Sequence, residues 1–299
     1  MDRKGLAKMN YLFTKFKNIK MKLLLSPFPG HYSSPIVDVG EIRRREKQIF
    51  SITSKTIPGI DLNEENQLSL LKEFEGYYHD IPFRSVKGEN RYFYENGYYL
   101  YSDAIFLYSM IRRFHPRRII EIGAGFSSAA MLDSTEVLGY HDTAFTFIEP
   151  YPSRLKSILR KEDYARCTIV EDNLENVDKG IFEELQANDI LFVDSSHVCK
   201  TGSDVNRIFF EILPTLKSKV LIHFHDVFFP FEYPKSWVLD WNAFGWNEDY
   251  FLRAFLMYNT GFEIVFFNTF LEHFYRERFM RTMPDCLKHT GGSLWIRKK

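Results

Sequence analysis

The sequence is short of cysteine, carries no excess charge and has no long apolar run. Its three cysteines are Cys167, Cys199 and Cys286. Thiols this few and this widely spaced argue against a disulfide framework or a cysteine zinc site, and they favour a cytoplasmic location. Lys plus Arg and Asp plus Glu both number 39, so charge gives no reason to expect a nucleic-acid partner. No apolar run approaches the ~20 residues that a membrane-spanning helix needs.

Residues 1–22 differ from this neutral background. They are rich in Lys and Arg, and their apolar residues recur at helical spacing: Met9, Leu12, Phe13, Phe16 and Ile19. This pattern predicts a basic amphipathic helix. Two interpretations stay open: peripheral contact with an anionic membrane, or packing on the helix's own domain or on a second subunit of a homo-oligomer.

The chain divides into two predicted parts. Residues 1–100 are punctuated by proline, glycine and tyrosine and are predicted to form an irregular N-terminal cap with helices near 41–50 and 64–76. Residues 101–299 are predicted to form a Rossmann-like domain that begins with a helix at 102–114, capped by Ser102 or Asp103.

Within the second part, short apolar runs alternate with helical stretches. The predicted strands are 118–122, 144–149, 168–171, 190–194, 220–224, 263–268 and 293–297. The predicted helices lie near 127–138, 153–161, 178–186, 203–213 and 247–259. This alternation predicts a doubly wound α/β fold with a mostly parallel sheet, whose last two strands form an antiparallel pair at one edge.

A glycine-rich turn follows the first predicted strand, in Glu121-Ile122-Gly123-Ala124-Gly125-Phe126-Ser127-Ser128. Gly123 and Gly125 permit a tight turn and a close ligand approach because neither has a Cβ atom. Glu121 is placed to meet a cationic amino group, and Glu149, at the end of the next strand, is suited to hold ribose hydroxyls. After the third strand, Asp172 is preferred over Asn173 as an adenine contact.

Acids and histidines follow the fourth and fifth strands. Asp194 and His197 lie in one segment, and His225 and Asp226 in the other. Because parallel strands end at one edge of a sheet, these four side chains are predicted to converge as catalytic groups. A histidine near its ordinary pKa is a suitable base. Alternatively, Asp194 and Asp226 hold a divalent cation such as Mg²⁺. His223 is predicted to be a hydrogen-bonded core residue.

These motifs together resemble the class I S-adenosylmethionine-dependent methyltransferases, over residues 115–299. The similar group is a bacterial branch with Asp-x-x-His after strand four and His-Asp after strand five. The resemblance implies a seven-stranded sheet with a reversed last strand. It also implies contacts of Glu121, Gly123 and Gly125 with the methionine part of the cofactor, of Glu149 with the ribose and of Asp172 or Asn173 with the adenine. Ser127, Ser128 and Asp194 are predicted to complete the cofactor site.

The resemblance also bears on the metal. Related metal-dependent O-methyltransferases place a third ligand, Asp or Asn, after the fifth-strand acid, whereas Val227 follows Asp226 here. The aromatic segment 228–246 suits stacking on a sugar or an aromatic acceptor. We therefore expect O-methylation of a small-molecule or glycan hydroxyl. The alternatives are a nicotinamide-dependent oxidoreductase on the same sheet and a non-catalytic ligand-binding module.

Overall fold

The computed structural model describes residues 28–240 and 245–299. The basic segment 1–22 lies outside the described residues, so its helix and its membrane contact stay predictions. The chain separates into two compact units, Met1–Thr53 with Tyr233–Trp246, and Ser54–Glu232 with Asn247–Lys299. The predicted domain boundary at residue 100 likewise stays a prediction.

The described part of the first unit contains short helices. They are α1 (Val39–Arg44), α2 (Glu46–Ile49) and α9 (Lys235–Leu239). The Asp38 carboxylate begins α1 by accepting hydrogen bonds from the Gly40 and Glu41 amides, at 2.7 and 3.1 Å. An ion pair of 2.9 Å between Lys235 and Glu46 holds α9 near α2.

The second unit contains a seven-stranded sheet in the order β3-β2-β1-β4-β5-β7-β6. Its strands are β1 (Arg118–Ile122), β2 (Ala144–Ile148), β3 (Cys167–Val170), β4 (Ile190–Val193), β5 (Leu221–His225), β6 (Phe262–Phe267) and β7 (Ser293–Lys298). Strands β1 to β5 are parallel, and β7 runs antiparallel to both β5 and β6. The predictions of a Rossmann-like sheet, a reversed last strand and an antiparallel edge pair are therefore confirmed.

Helices flank and connect these strands. They are α3 (Glu64–Tyr77), α4 (Tyr101–Phe114), α5 (Phe126–Val137), α6 (Ser153–Ile158), α7 (Gly180–Glu183), α8 (Asp204–Arg207), α10 (Glu248–Leu256), α11 (Asn268–Phe274) and α12 (Arg276–Thr282). A π-helical turn at Ile208–Ile212 continues α8. Short 3₁₀ turns occupy Tyr78–Asp80, Lys161–Ala165, Leu174–Asn176, Leu213–Thr215 and Pro284–Leu287. Among the described residues, no helix is long and apolar enough to span a membrane.

The sheet core explains why these segments are strands. All residues of β4 and β5 are buried, as expected for parallel strands covered on both faces. The predicted cap of α4 is wrong: Leu100 is the N-cap, and Ser102 and Asp103 lie inside the helix. Their side chains bond to other buried groups instead, Ser102 to Glu272 and Asp103 to Ser293.

Candidate active site

A cavity of about 340 Å³ lies at the carboxyl edge of the parallel strands. Several residues that line the cavity directly follow a strand: Gly123 follows β1, Glu149 follows β2 and Asp194 follows β4. Asn173, a little beyond the end of β3, also lines it. A volume of this order is typical of small-molecule sites, which measure about 300–1,000 Å³. Sequence reasoning missed other wall residues, Pro150, Leu174, Lys200 and Ser203, because loop residues carry no periodic signal.

Gly123 brings the ends of β1 and β4 together. Its φ is +83°, and a Cβ atom there would lie 2.0 Å from the carbonyl oxygen of Asp194. Its amide donates to the Ile148 carbonyl at 3.0 Å, so the turn is also tied to β2. At Gly125, by contrast, the nearest atom to a Cβ would be Arg154 Cδ at 3.7 Å, an ordinary contact. The steric requirement for glycine therefore falls on Gly123.

Glu121, Ser127 and Ser128 form a buried cluster beneath the glycine turn. The two serine hydroxyls donate to separate oxygens of the Glu121 carboxylate, and all three residues are buried. Burial raises the pKa of Glu121 to about 8, although the two serine hydrogen bonds act in the opposite direction. A direct contact of these three residues with a cofactor stays a prediction.

The two candidates after β3 differ in position. Asn173 lines the cavity. The Asp172 carboxylate is exposed and accepts from the Asn173 amide and the Asn176 side chain, both at 2.7 Å, within its own turn. The carboxylate of Glu149 is half-buried and accepts from the Tyr151 amide at 2.7 Å. These positions favour Glu149 and Asn173 over Asp172 as ligand contacts.

Asp194, His197 and Asp226 converge as their positions in the sequence predict. One potential ligand atom from each lies within 4.8 Å of the others. His197 Nε2 is 3.3 Å from Asp194 Oδ1 and 3.7 Å from Asp226 Oδ2. The two aspartate side chains are 33% and 20% exposed, whereas that of His197 is 6% exposed. Ligands entering the site would therefore meet the carboxylates first.

Burial and mutual charge set the protonation of this cluster. Burial lowers the pKa of His197, but its hydrogen bonds to Asp194 and Glu248 hold that pKa well above the ordinary value. Burial raises the pKa of Asp194, and His197 with the other nearby charges brings it below its usual range. For Asp226, burial outweighs the two histidines, and its pKa is raised.

His225 and His223 project on the same face of β5 with different surroundings. His225 Nε2 lies 3.6 Å from Asp226 Oδ1. Burial lowers the pKa of His225, but Asp226 and neighbouring acids raise it above the ordinary value. His223 lies between the rings of Phe192, at 3.9 Å, and Trp295, at 4.6 Å.

The prediction that His223 is hydrogen-bonded is wrong. Neither of its ring nitrogens has a hydrogen-bond partner among the described residues, because aromatic rings pack on both sides of the imidazole. Burial holds its pKa well below the ordinary value, so His223 is a neutral core residue.

Glu248 is a further site residue that sequence reasoning missed. It is 1% exposed, and its carboxylate lies 2.8 Å from His197 Nδ1 and 3.0 Å from the hydroxyl of Ser195. Adjacent acids at the start of a helix ordinarily stabilise its N-terminus from solvent. For that reason, no pattern in the sequence indicates that this acid points inward.

Comparisons with known proteins agree with this geometry. A family profile described as a methyltransferase domain matches residues 120–227, the span from β1 to just beyond Asp226. An uncharacterised protein of Archaeoglobus fulgidus is 35% identical over 168 residues, which cover 54% of this chain and 74% of that protein. The chain belongs to the class I S-adenosylmethionine-dependent methyltransferases. It is an enzyme with S-adenosylmethionine as its cofactor, and the comparisons give no support to the nicotinamide alternative.

Solved structures with a similar chain path include two methyltransferases. One is the S-adenosylhomocysteine-bound methyltransferase PaMTH1 of Podospora anserina, at 17% identity, covering 87% of this chain and 94% of that chain with a TM-score of 0.44. The other is the O-methyltransferase TomG of Streptomyces achromogenes, involved in tomaymycin synthesis, at 14% identity, covering 87% and 96% with a TM-score of 0.44.

Proposed function

We propose that this methyltransferase acts on a hydroxyl group of a small molecule or glycan. The observation that carries the proposal is the cluster of Asp194, His197 and Asp226, whose carboxylates are the exposed part of a group otherwise closed to solvent. A hydroxyl needs to lose its proton as it is methylated, and this cluster supplies acceptors for that proton.

The cavity beside the cluster supplies the cofactor site. In our proposal Glu149 accepts hydrogen bonds from ribose hydroxyls, Asn173 meets the adenine side and the turn at Gly123 contacts the methionine part. The bound cofactor supplies a methyl group on a sulfonium centre. Asp194 lines the cavity and also belongs to the acid cluster. It therefore joins the cofactor side of the site to the acceptor side.

Asp226 and His225 are the proposed proton acceptors. Because the pKa of Asp226 is raised, its carboxylate is a stronger base than an ordinary aspartate. A neutral His225, whose Nε2 lies 3.6 Å from Asp226 Oδ1, then accepts the proton from Asp226 by relay and becomes an imidazolium, which its raised pKa favours. His197 is already paired with acids through both ring nitrogens, so we assign it to holding Asp194 and Asp226 in place.

The same donors fit a divalent cation, which is the second candidate arrangement. Two carboxylates and an imidazole suit such an ion, and the Nδ1 atom of His197 is anchored on a carboxylate as in many metal-ligating histidines. In that arrangement Asp194, His197 and Asp226 would hold the ion. It would supply positive charge that orients an acceptor oxygen and lowers its pKa.

Two measurements test the function. Calorimetric titration with S-adenosylmethionine, S-adenosylhomocysteine and NADH should show binding of the first two and none of the third. Transfer of labelled methyl from S-adenosylmethionine to a panel of catechols, phenols and glycosides should then give methyl ethers. Transfer confined to amines or thiols in a matching panel would refute the O-methylation proposal.

Repeating the assay with EDTA, and then with Mg²⁺ or Mn²⁺ restored, separates the two arrangements. Activity that survives the chelator supports the Asp226–His225 pair acting alone. Loss with EDTA and recovery with either ion supports the cation.

A further inference from the structure

Glu248 is a buried acid whose place in the fold calls for an explanation. It is the first residue of α10, a nine-residue helix that begins after the aromatic segment 228–246. Its side chain is 1% exposed in the presence of Asp194 and Asp226. Placing a third carboxylate near two others raises the electrostatic free energy of the folded chain unless a specific contact compensates it.

The compensating contacts all go to the loop that follows β4. Glu248 Oε2 is 2.8 Å from His197 Nδ1, and the Ser195 hydroxyl lies 3.0 Å from both carboxylate oxygens. The main chains of the two segments are also in contact, because the amides of Asn247 and Glu248 donate to the His197 carbonyl at 3.0 and 3.3 Å. The start of α10 therefore holds both the ring and the main chain of His197.

The backbone of His197 needs such support. Its φ is +57°, a left-handed conformation that residues with a side chain rarely adopt and that costs free energy unless the surroundings impose it. A second contact also fixes the loop, since the His197 amide donates to the Ser195 hydroxyl at 3.0 Å. Glu248 therefore lies at the centre of the contacts that keep this conformation.

The two nitrogens of one imidazole ring face opposite partners. With Nδ1 at Glu248, Nε2 lies 3.3 Å from Asp194 and 3.7 Å from Asp226. We propose that Glu248 is a positioning residue, which keeps a proton on Nδ1 of His197 and so directs Nε2 at the two aspartates. This inference rests on the proposed function for its meaning in catalysis, but the hydrogen bond itself can be tested without any substrate.

The arrangement serves either version of the site. A carboxylate that accepts a hydrogen bond from one ring nitrogen fixes which nitrogen faces the reacting groups. If a cation binds, Nε2 is the ligand atom. Without a cation, Nε2–H donates to Asp194 and keeps its carboxylate in one orientation.

The direct test is nitrogen-15 NMR of the full chain labelled at histidine, with His197→Gln used to assign the resonance. In the wild type we expect a slowly exchanging, strongly deshielded proton on His197 Nδ1. Glu248→Gln should abolish that signal, and Glu248→Asp should retain it with faster exchange. A wild-type His197 without a proton on Nδ1, or an unchanged signal in Glu248→Gln, would overturn the proposal.

Two controls separate positioning from general stability. Ser195→Ala removes the other side-chain partner of Glu248 and should retain the Nδ1 proton. Asp163→Asn weakens a buried ion-pair network elsewhere in the chain, so it should lower the melting temperature without altering the His197 signal. If Glu248→Gln does not fold, the wild-type spectrum and Glu248→Asp still decide the question.

Kinetics with an acceptor found in the methyl-transfer assay provide the functional readout. Glu248→Gln should lower kcat by about 10–100-fold, the usual effect of losing a carboxylate partner of an active-site histidine. The Kd for S-adenosylmethionine should be unchanged. An Nδ1 proton in a protein that methylates no hydroxyl would refute the proposed function alone, whereas active enzyme with an unprotonated Nδ1 would refute this inference alone.

Discussion

Two buried charge clusters in the second unit are built from different cations. In the first, here called the Arg91 network, Arg91 pairs with Asp133, Glu136 and Asp163. Asp163 receives two hydrogen bonds from the guanidinium, at 2.9 and 2.6 Å. In the second, the active-site cluster, the cations are His197 and His225, and the acids are Asp194, Asp226 and Glu248.

The difference follows from what each cluster has to do. Arginine stays charged at all relevant pH values and matches a carboxylate with two parallel bonds, so it makes a permanent link. The Arg91 side chain is 4% exposed and that of Asp163 is 2% exposed, while Glu136, at 46%, is the exposed member of the network. Histidine exchanges protons near neutral pH, and the active-site cluster leaves Asp194 and Asp226 partly open. We infer that the first cluster holds structure and the second performs chemistry.

The largest expected loss of stability comes from a substitution that breaks the Arg91 network. Asp163→Asn removes the carboxylate that accepts two hydrogen bonds from the guanidinium, while Asp133 and Glu136 remain paired with it. The change should cost about 3 kcal/mol of unfolding free energy. The kcat and the Kd for S-adenosylmethionine should be unchanged. Chemical denaturation checks the first expectation, and the methyl-transfer assay checks the second. Lost activity in a fully folded variant would contradict the separation of the two clusters.

The converse variant lies in the active-site cluster. Asp226→Asn should lower kcat about 100-fold or more, because the proposed proton acceptor is lost. It should also raise the melting temperature at neutral pH, since the raised pKa of Asp226 shows that its ionised form is disfavoured by the fold. Steady-state kinetics and calorimetry provide the two readouts. An unaltered kcat would exclude Asp226 from proton transfer.

Two glycine substitutions test how closely the chain packs at the active site. Gly123→Ala should destabilise the protein by at least about 1–2 kcal/mol, the cost of a left-handed alanine, because the Cβ atom also displaces the Asp194 carbonyl. Binding of S-adenosylmethionine should weaken with it. A Cβ atom at Gly125 meets no close atom of the protein, so Gly125→Ala should retain the melting temperature. Equal effects of the two substitutions would argue against the close approach of β1 and β4.

Glu121 is a buried acid held by two serine hydroxyls, and it provides the smallest expected effect when stability is compared over a single pH unit. Its pKa is about 8 in the folded chain, against an ordinary 4.5, so the folded state binds more protons than the unfolded state between those values. Stability should therefore fall as pH rises from about 4.5 to 8, by up to about 1.4 kcal/mol per pH unit. Glu121→Gln should flatten this dependence in denaturation curves measured across the range. An unchanged slope would show that Glu121 is ionised in the folded protein.

Much of the second unit follows from local pattern. The seven predicted strands match within one or two residues, because each is a short apolar run that ends in a polar or glycine residue. Asp194, Asp226 and Glu149 could be placed at one edge because parallel strands end together. The reversed β7 could be predicted because the sequence before it lacks the pattern of an ordinary crossover helix, although α11 and α12 lie there.

The remaining features depend on long-range contacts. Ser102 and Asp103 have the residue types of a helix cap, but buried partners far along the chain draw their side chains into the core. The mutual hydrogen bonds of Glu121, Ser127 and Ser128 were not part of the prediction for their motif, and their contact with a ligand stays a prediction. The inward direction of Glu248 depends on where α10 packs, and one sequence carries no periodic signal for that.

The position of β7 has a consequence for synthesis of the chain. His225 is paired with Ser293, and the Val227 amide donates to the Gly292 carbonyl at 3.2 Å. The ribosome therefore makes β5 long before β7, the strand that pairs with its free edge. All residues between the two strands are made first. Until then, β5 presents an unpaired, apolar edge to other nascent chains, a recognised risk for aggregation. Expression yield should therefore depend strongly on chaperones that cover this edge.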